Sequence, residues 1–175
     1  MKLEHFWNIK HIRDNKVIYE DNQVANTISN QGISAILNSF YRGNATPSIF
    51  WVRLCNYTPQ VTDTLISLAS YEPPVTNGYA PYKITADATT SGFPTSTSSG
   101  GSTLTITSAM ATFTADGGNI GPVTTAYVAT TGYIGTPPSI TLDNTGILVS
   151  YLPLALTRTI LNGDSMTYEF QVQLN

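Results

Sequence analysis

The chain has 175 residues, enough for one domain with its own hydrophobic core, and only 11% of them are charged, against about 25% in ordinary soluble domains. With 8 Lys and Arg in all and a net charge of −3, it lacks the clustered cations that a phosphate backbone demands, so nucleic acid is not expected as a partner. No apolar run reaches membrane-spanning length and no apolar core follows Lys2, so neither a membrane partner nor a signal peptide is expected, and the single cysteine, Cys55, leaves no internal disulfide. Thr, Ser and Asn stand where Lys and Glu usually do. They favour strands and turns, and they leave a surface that is cheap to desolvate.

Residues 1–21 read as an N-terminal hairpin or arm, with strands His5–Ile12 and Lys16–Glu20 joined at Asp14-Asn15. Trp7, Ile9 and His11 share one face, and Phe6 and Ile12 lie on the other. A helix follows, because Ile33, Ile36, Leu37 and Phe40 make one apolar stripe. Ser29 or Asn30 can cap its start, and Gly43 stands where it should stop. At about three turns it needs a sheet to pack on.

Ile49–Asn56 is a strand with bulky groups on both faces, expected to be central. Loops run through Thr58-Pro59 and Glu72-Pro73-Pro74, with a weakly apolar Leu65–Leu68 between them. Tyr79–Ala86 is a further strand that Pro81, lacking an amide donor, pushes toward a sheet edge. Thr89–Ser102 is uncharged and of low complexity, which predicts a flexible Ser/Thr/Gly loop. Leu104 and Ile106 alternate with threonines, and the apolar parity then slips between Met110 and Phe113, as a bulge or two short strands would make it.

Asp116-Gly117-Gly118 is a turn, Val123–Thr130 a strand, Gly132–Pro138 a loop, and Ile147–Leu152 a strand apolar on both faces. The tail alternates strictly, with Met166, Tyr168, Phe170, Val172 and Leu174 on one face. Preceded by Thr157–Leu161 and the turn Asn162-Gly163-Asp164, it predicts a closing β-hairpin. Eight to ten strands with turns between them predict an all-β fold: a single jelly-roll-like antiparallel β-sandwich over residues 1–175, with one short α-helix packed on it.

Little of the sequence points to chemistry. His5 and His11 share strand parity but lie about 20 Å apart at ~3.3 Å per residue, so they cannot share a metal, and surface or interface positions are expected. Cys55, in the most apolar strand, reads as a buried structural thiol. Asp116–Gly121 lacks the Lys-Ser/Thr ending of a phosphate loop, and Asp143-Asn144 has no further acids at calcium-loop spacing, so both read as turns. Glu20 and Asp21 are adjacent, and their side chains diverge. No catalytic residue, cofactor site or metal ligand is assigned, and the expectation is a protein that is not an enzyme. Tyr57, Tyr71, Tyr79, Tyr82 and Phe93 lie in or near loops as candidate exposed anchors. The partner-binding candidates are Phe6, Trp7, Tyr79, Tyr82 and Phe93.

Several phrases taken in order resemble a group of small structural proteins from virions of tailed bacteriophages. They begin with Val17-Ile18-Tyr19-Glu20-Asp21, Asn30-Gln31-Gly32-Ile33, the strand Phe50–Asn56, Asp63-Thr64-Leu65 and Asn77-Gly78-Tyr79-Ala80. Phe113-Thr114-Ala115, the run Gly121–Tyr127 and the ending Arg158–Ser165 complete the set, which spans nearly the whole chain. Gly132–Ser139 and Thr89–Ser102 depart from it in length.

The resemblance implies a β-sandwich subunit found in the virion and made in the host bacterial cytoplasm. Such subunits are often head-decoration (cement) proteins that bind the major capsid protein or other virion proteins, commonly as homo-oligomers, with a trimer fitting capsid symmetry. The expected mechanism is bridging of neighbouring capsid subunits, with the N-terminal segment adding a strand edge. A tail, neck or fibre component and a carbohydrate- or host-receptor-binding sandwich module are the alternatives.

Overall fold

The computed structural model describes residues 2–43, 47–99, 103–130, 133–134, 141–142 and 146–175. In chain order they form β1 (Leu3–Arg13), β2 (Lys16–Ala25), β3 (Thr27–Ile28), α1 (Asn30–Arg42), β4 (Ile49–Cys55), α2 (Leu65–Ala69) and a 3₁₀ turn at Val75–Asn77. Then come β5 (Tyr82–Thr85), β6 (Thr95–Ser99), β7 (Thr103–Thr107), β8 (Ala111–Thr114) and β9 (Ile120–Ala129), followed by β10 (Tyr133–Ile134), β11 (Thr141–Leu142), β12 (Leu148–Ile160) and β13 (Ser165–Leu174). One antiparallel sheet has the order β2-β1-β13-β7-β6, with β8 also on β13. The second has the order β3-β12-β9-β4-β5, and β10 pairs with β11 apart from both. The fold is an all-β sandwich carrying a short helix.

Alternation builds the core. Trp7 and Ile9 of β1 and Met166, Tyr168 and Phe170 of β13 point from the first sheet toward Val52, Leu54, Ala126, Val128 and Leu152 of the second. Trp51, Arg53 and Cys55 take the other face of β4, where α2 covers the sheet with Leu65 and Leu68 and makes a small second core with Tyr127 and Leu148. β4 lies between β9 and β5, and β5 after Pro81 is an edge strand, both as the sequence predicts. Asp14 and Asn15, at φ 48 and 59, turn β1 into β2 with the left-handed pair that a two-residue hairpin needs. The parity slip is a bulge between β7 and β8. Thr107 faces Gln171 while Ala111 faces Tyr168, and between them the Ser108 hydroxyl accepts the Phe170 amide at 2.9 Å.

Three expectations fail. The tail is not a hairpin: β12 belongs to the second sheet and β13 to the first, so Asn162-Gly163-Asp164 is a corner between layers. Gly163, at φ 90, donates to the Ala115 carbonyl at 2.9 Å, and Ala115 donates back to Asp164 at 3.0 Å, which pins that corner to the end of β8. The predicted N-terminal hairpin is present as β1 and β2, but it does not stand off as an arm, because β1 lies between β2 and β13 and buries Trp7 and Ile9. Thr89–Ser102 is not wholly a loop. Its Thr95–Ser99 segment is β6, paired with β7 from Thr95 opposite Thr107 to Ser99 opposite Thr103, because threonine suits a pleated edge. Gly132–Ser139 falls mostly outside the described residues, and Asp143-Asn144 wholly so.

Candidate docking surface

The helix predicted from the stripe is present, but it is turned the other way. The Ser29 side chain accepts the Gly32 amide at 3.0 Å and its hydroxyl donates to the Leu148 carbonyl, so the cap that starts α1 also ties it to β12. Gln31 accepts the Leu148 amide at 3.0 Å. Gly32 touches the β12 backbone so closely that a Cβ there would run into the Val149 carbonyl. Gly43, at φ 65, ends the helix in the left-handed conformation. With the Gly32 side against the sheet, Ile33, Ile36 and Leu37 of the stripe turn outward, 45%, 37% and 50% exposed, and Tyr41 beside them is 71% exposed. The stripe was expected to bury the helix on the sheet; instead a glycine contact does so.

This outward stripe faces the open end of the sandwich. Leu3, Leu174 and Leu104 stand opposite one another on three adjacent strands, at the end of the first sheet's inward face. Leu3, Leu174 and Ile28 form one wall of a groove of about 460 Å³, and Ile33, Leu37 and Tyr41 form the other. That is ligand-pocket size, yet the lining is almost wholly apolar and lacks the few convergent polar groups that orient a small ligand. Such a surface can exclude water against another apolar surface.

The sequence-predicted anchors do not come together. Trp7 is fully buried, with its ring edge-on to Tyr168 at 6.0 Å and tilted on Phe170 at 5.3 Å. Tyr79 is buried too, its hydroxyl accepting the Leu54 amide at 3.1 Å and donating to Glu72 at 3.1 Å. Both are core groups and cannot anchor a partner. Phe6 is half-buried on the face of β1 opposite Trp7. Tyr82 and Phe93 are half-buried against the core, Phe93 edge-on to Phe50 at 5.9 Å.

The histidines, expected at the surface or an interface, are also buried, because their parity is that of Trp7 and Ile9. His5 sits edge-on to Phe170 at 4.9 Å, and burial pulls its pKa down to about 4. His11 lies 3.1 Å from the Asp164 carboxylate, which Arg13 also grips at 2.8 Å. Arg13 first, and then His11, hold that carboxyl below its usual range. Cys55 is a buried thiol as predicted, and burial, with Glu72 nearby, pushes its pKa up to about 12.

One polar constellation was missed in the sequence. Arg53, fully buried, pairs with Glu72 and lies over the Tyr127 ring at 5.0 Å, while the Tyr127 hydroxyl donates to the same carboxylate. Burial and Glu72 both push the Tyr127 phenol well above its ordinary pKa. The readable signal was an arginine between Val52 and Leu54 in a strand otherwise apolar on both faces. Its partner, 19 residues on, was not readable, because only the fold of residues 56–78 over the second sheet brings Glu72 there. Arg53 is sealed from solvent and the Glu72 side chain is nearly so, and the pair fixes that layer.

Among the described residues no group of three or more His, Cys, Asp or Glu could hold a metal ion, and no helix is long and apolar enough to cross a membrane. No protein-family model matches the chain, and no curated protein matches it.

Proposed function

We propose that this chain is a non-enzymatic structural subunit of a tailed-phage virion, a capsid decoration (cement) protein that binds the shell and stabilises it. The observation that carries the reading is a set of large apolar side chains held outward on ordered elements in a molecule with few charges. Ile33, Leu37 and Tyr41 stand on α1, and Val17 and Ile18 on β2 are 51% and 48% exposed. The neighbours of the three on α1 are mostly hydroxyls and amides, which cost less to desolvate than charges, while Val17 and Ile18 follow Lys16 and precede Glu20. The phage setting is supported by the sequence resemblance, which runs through strands and turns along nearly the whole chain. Many copies on a repeating shell would add avidity to a modest contact.

Purified particles test this directly. A stained gel should show the chain in hundreds of copies per particle. A handful of copies would assign it to the tail, neck or fibre instead, and its absence from particles would overturn the reading.

A second reading, carbohydrate or host-receptor recognition, has one observation in its favour. Tyr57 and Tyr71 stack at 4.8 Å and 13°, and Tyr71 is 49% exposed, leaving an aromatic face open for a sugar ring. Glycan-array binding abolished by Tyr71→Ala would support it.

A further inference from the structure

We infer that the face formed by α1 and the open end of the sandwich binds a second copy of this chain, helix against helix about a two-fold axis. This names the occupant of one face and rests on the reading of the chain as an assembly subunit.

Shape is the first argument. The stripe from Ile33 to Tyr41 is a ridge about 12 Å long at 1.5 Å per residue, and its inner side lines the groove that Leu3, Ile28 and Leu174 close on the far side. A ridge next to a groove is self-complementary under a two-fold rotation: Leu37 and Tyr41 of each copy enter the groove of the other.

Area is the second. The exposed stripe and leucines present on the order of 400 Å² of apolar surface, within the range at which a patch on a monomer marks an interaction site. A stable interface takes ~800 Å² per partner, slightly more than half of it apolar. The patch supplies most of that apolar share, and Asn30, Ser34 and Asn38 add polar surface beside it on α1.

Charge is the third. Within α1 the only charged residue is the last, Arg42, and the side chains flanking the stripe are amides and hydroxyls that both donate and accept. Such a rim meets its own copy without like charges along its length, and in an antiparallel pair the two Arg42 side chains lie at opposite ends. A partner recognised by charge would find nothing on α1 to read.

Sedimentation velocity of the purified full chain across a dilution series tests the pairing. The mass is expected to double with concentration. Leu37→Asp should return it to the monomer with an unchanged far-UV spectrum, and Leu37→Gln serves if the charged variant folds poorly. Leu156→Asp changes a leucine that is 65% exposed and lies eight residues along β12 from the Leu148 anchor, and it should leave the dimer intact.

A monomer at every concentration, or a dimer untouched by Leu37→Asp, overturns the inference. A monomer still recovered in particles overturns the pairing alone and spares the assembly reading. A dimer that never enters particles overturns the virion assignment and leaves the pairing standing.

Discussion

Arg53 and His5 show what burial does to single side chains here. Removing one partner of a buried ion pair leaves the other charge uncompensated, which costs about 3–5 kcal/mol. Glu72→Ala should therefore lower the unfolding free energy by that amount in a denaturant titration, because Arg53 is fully buried. Replacing the whole group, as Arg53→Met with Glu72→Leu and Tyr127→Phe, should cost far less, since apolar groups of similar volume need no compensation and no buried hydroxyl is left without its acceptor.

For His5 the linkage runs toward acid. Its folded pKa of about 4 lies below the ordinary 6.5, so protons bind the unfolded chain more tightly. Its contribution is complete above about pH 6.5 and is lost as the pH falls toward 4, a loss on the order of 3 kcal/mol. Melting temperatures measured through that window should fall, and His5→Phe should flatten the fall between those two pH values. Asp164, held low by Arg13 and His11, loses its contribution only at still lower pH. The sequence displayed each of these residue types but not their partners. Strand parity alone does show that His5 and His11 share the face of Trp7.

At the scale of elements, two segments act against their local appearance. Local pattern makes β1 half of an attachment hairpin, but ten residues of it pair with β13, and it sits inside the sheet. Deleting residues 1–12 should therefore abolish folding, seen as loss of amide dispersion in a proton NMR spectrum. A chain that stayed folded would restore the arm.

Helix α1 is the converse. Its caps and stripe were legible, because Ser29, Gly43 and the 3.6-residue period act within the segment. The covered face was not legible, because it depends on how closely Gly32 approaches Val149. Gly32→Ala would help an isolated helix by ~1 kcal/mol. Here it should destabilise the protein by about 1–3 kcal/mol, because the added methyl meets backbone that cannot move aside. Equilibrium unfolding decides the sign.

For the molecule as a whole, the sequence by itself determined the class of structure and most of its punctuation. Alternating apolar residues, a low charge density and turn residues such as Asp14-Asn15 and Asn162-Gly163 act over two to ten positions, so they can be read before folding. Only the tertiary structure decided that β12 and β13, adjacent in the chain, belong to opposite sheets. It alone decided that Trp7 and Tyr79 lie inside while Ile33 and Leu37 lie outside, and that Glu72 reaches Arg53. The reason is physical: periodicity records which residues gain by leaving water, whereas the surface that covers them comes from chain far away in sequence. A stripe left open after every layer has packed, as on α1, can be recognised only when the fold is complete.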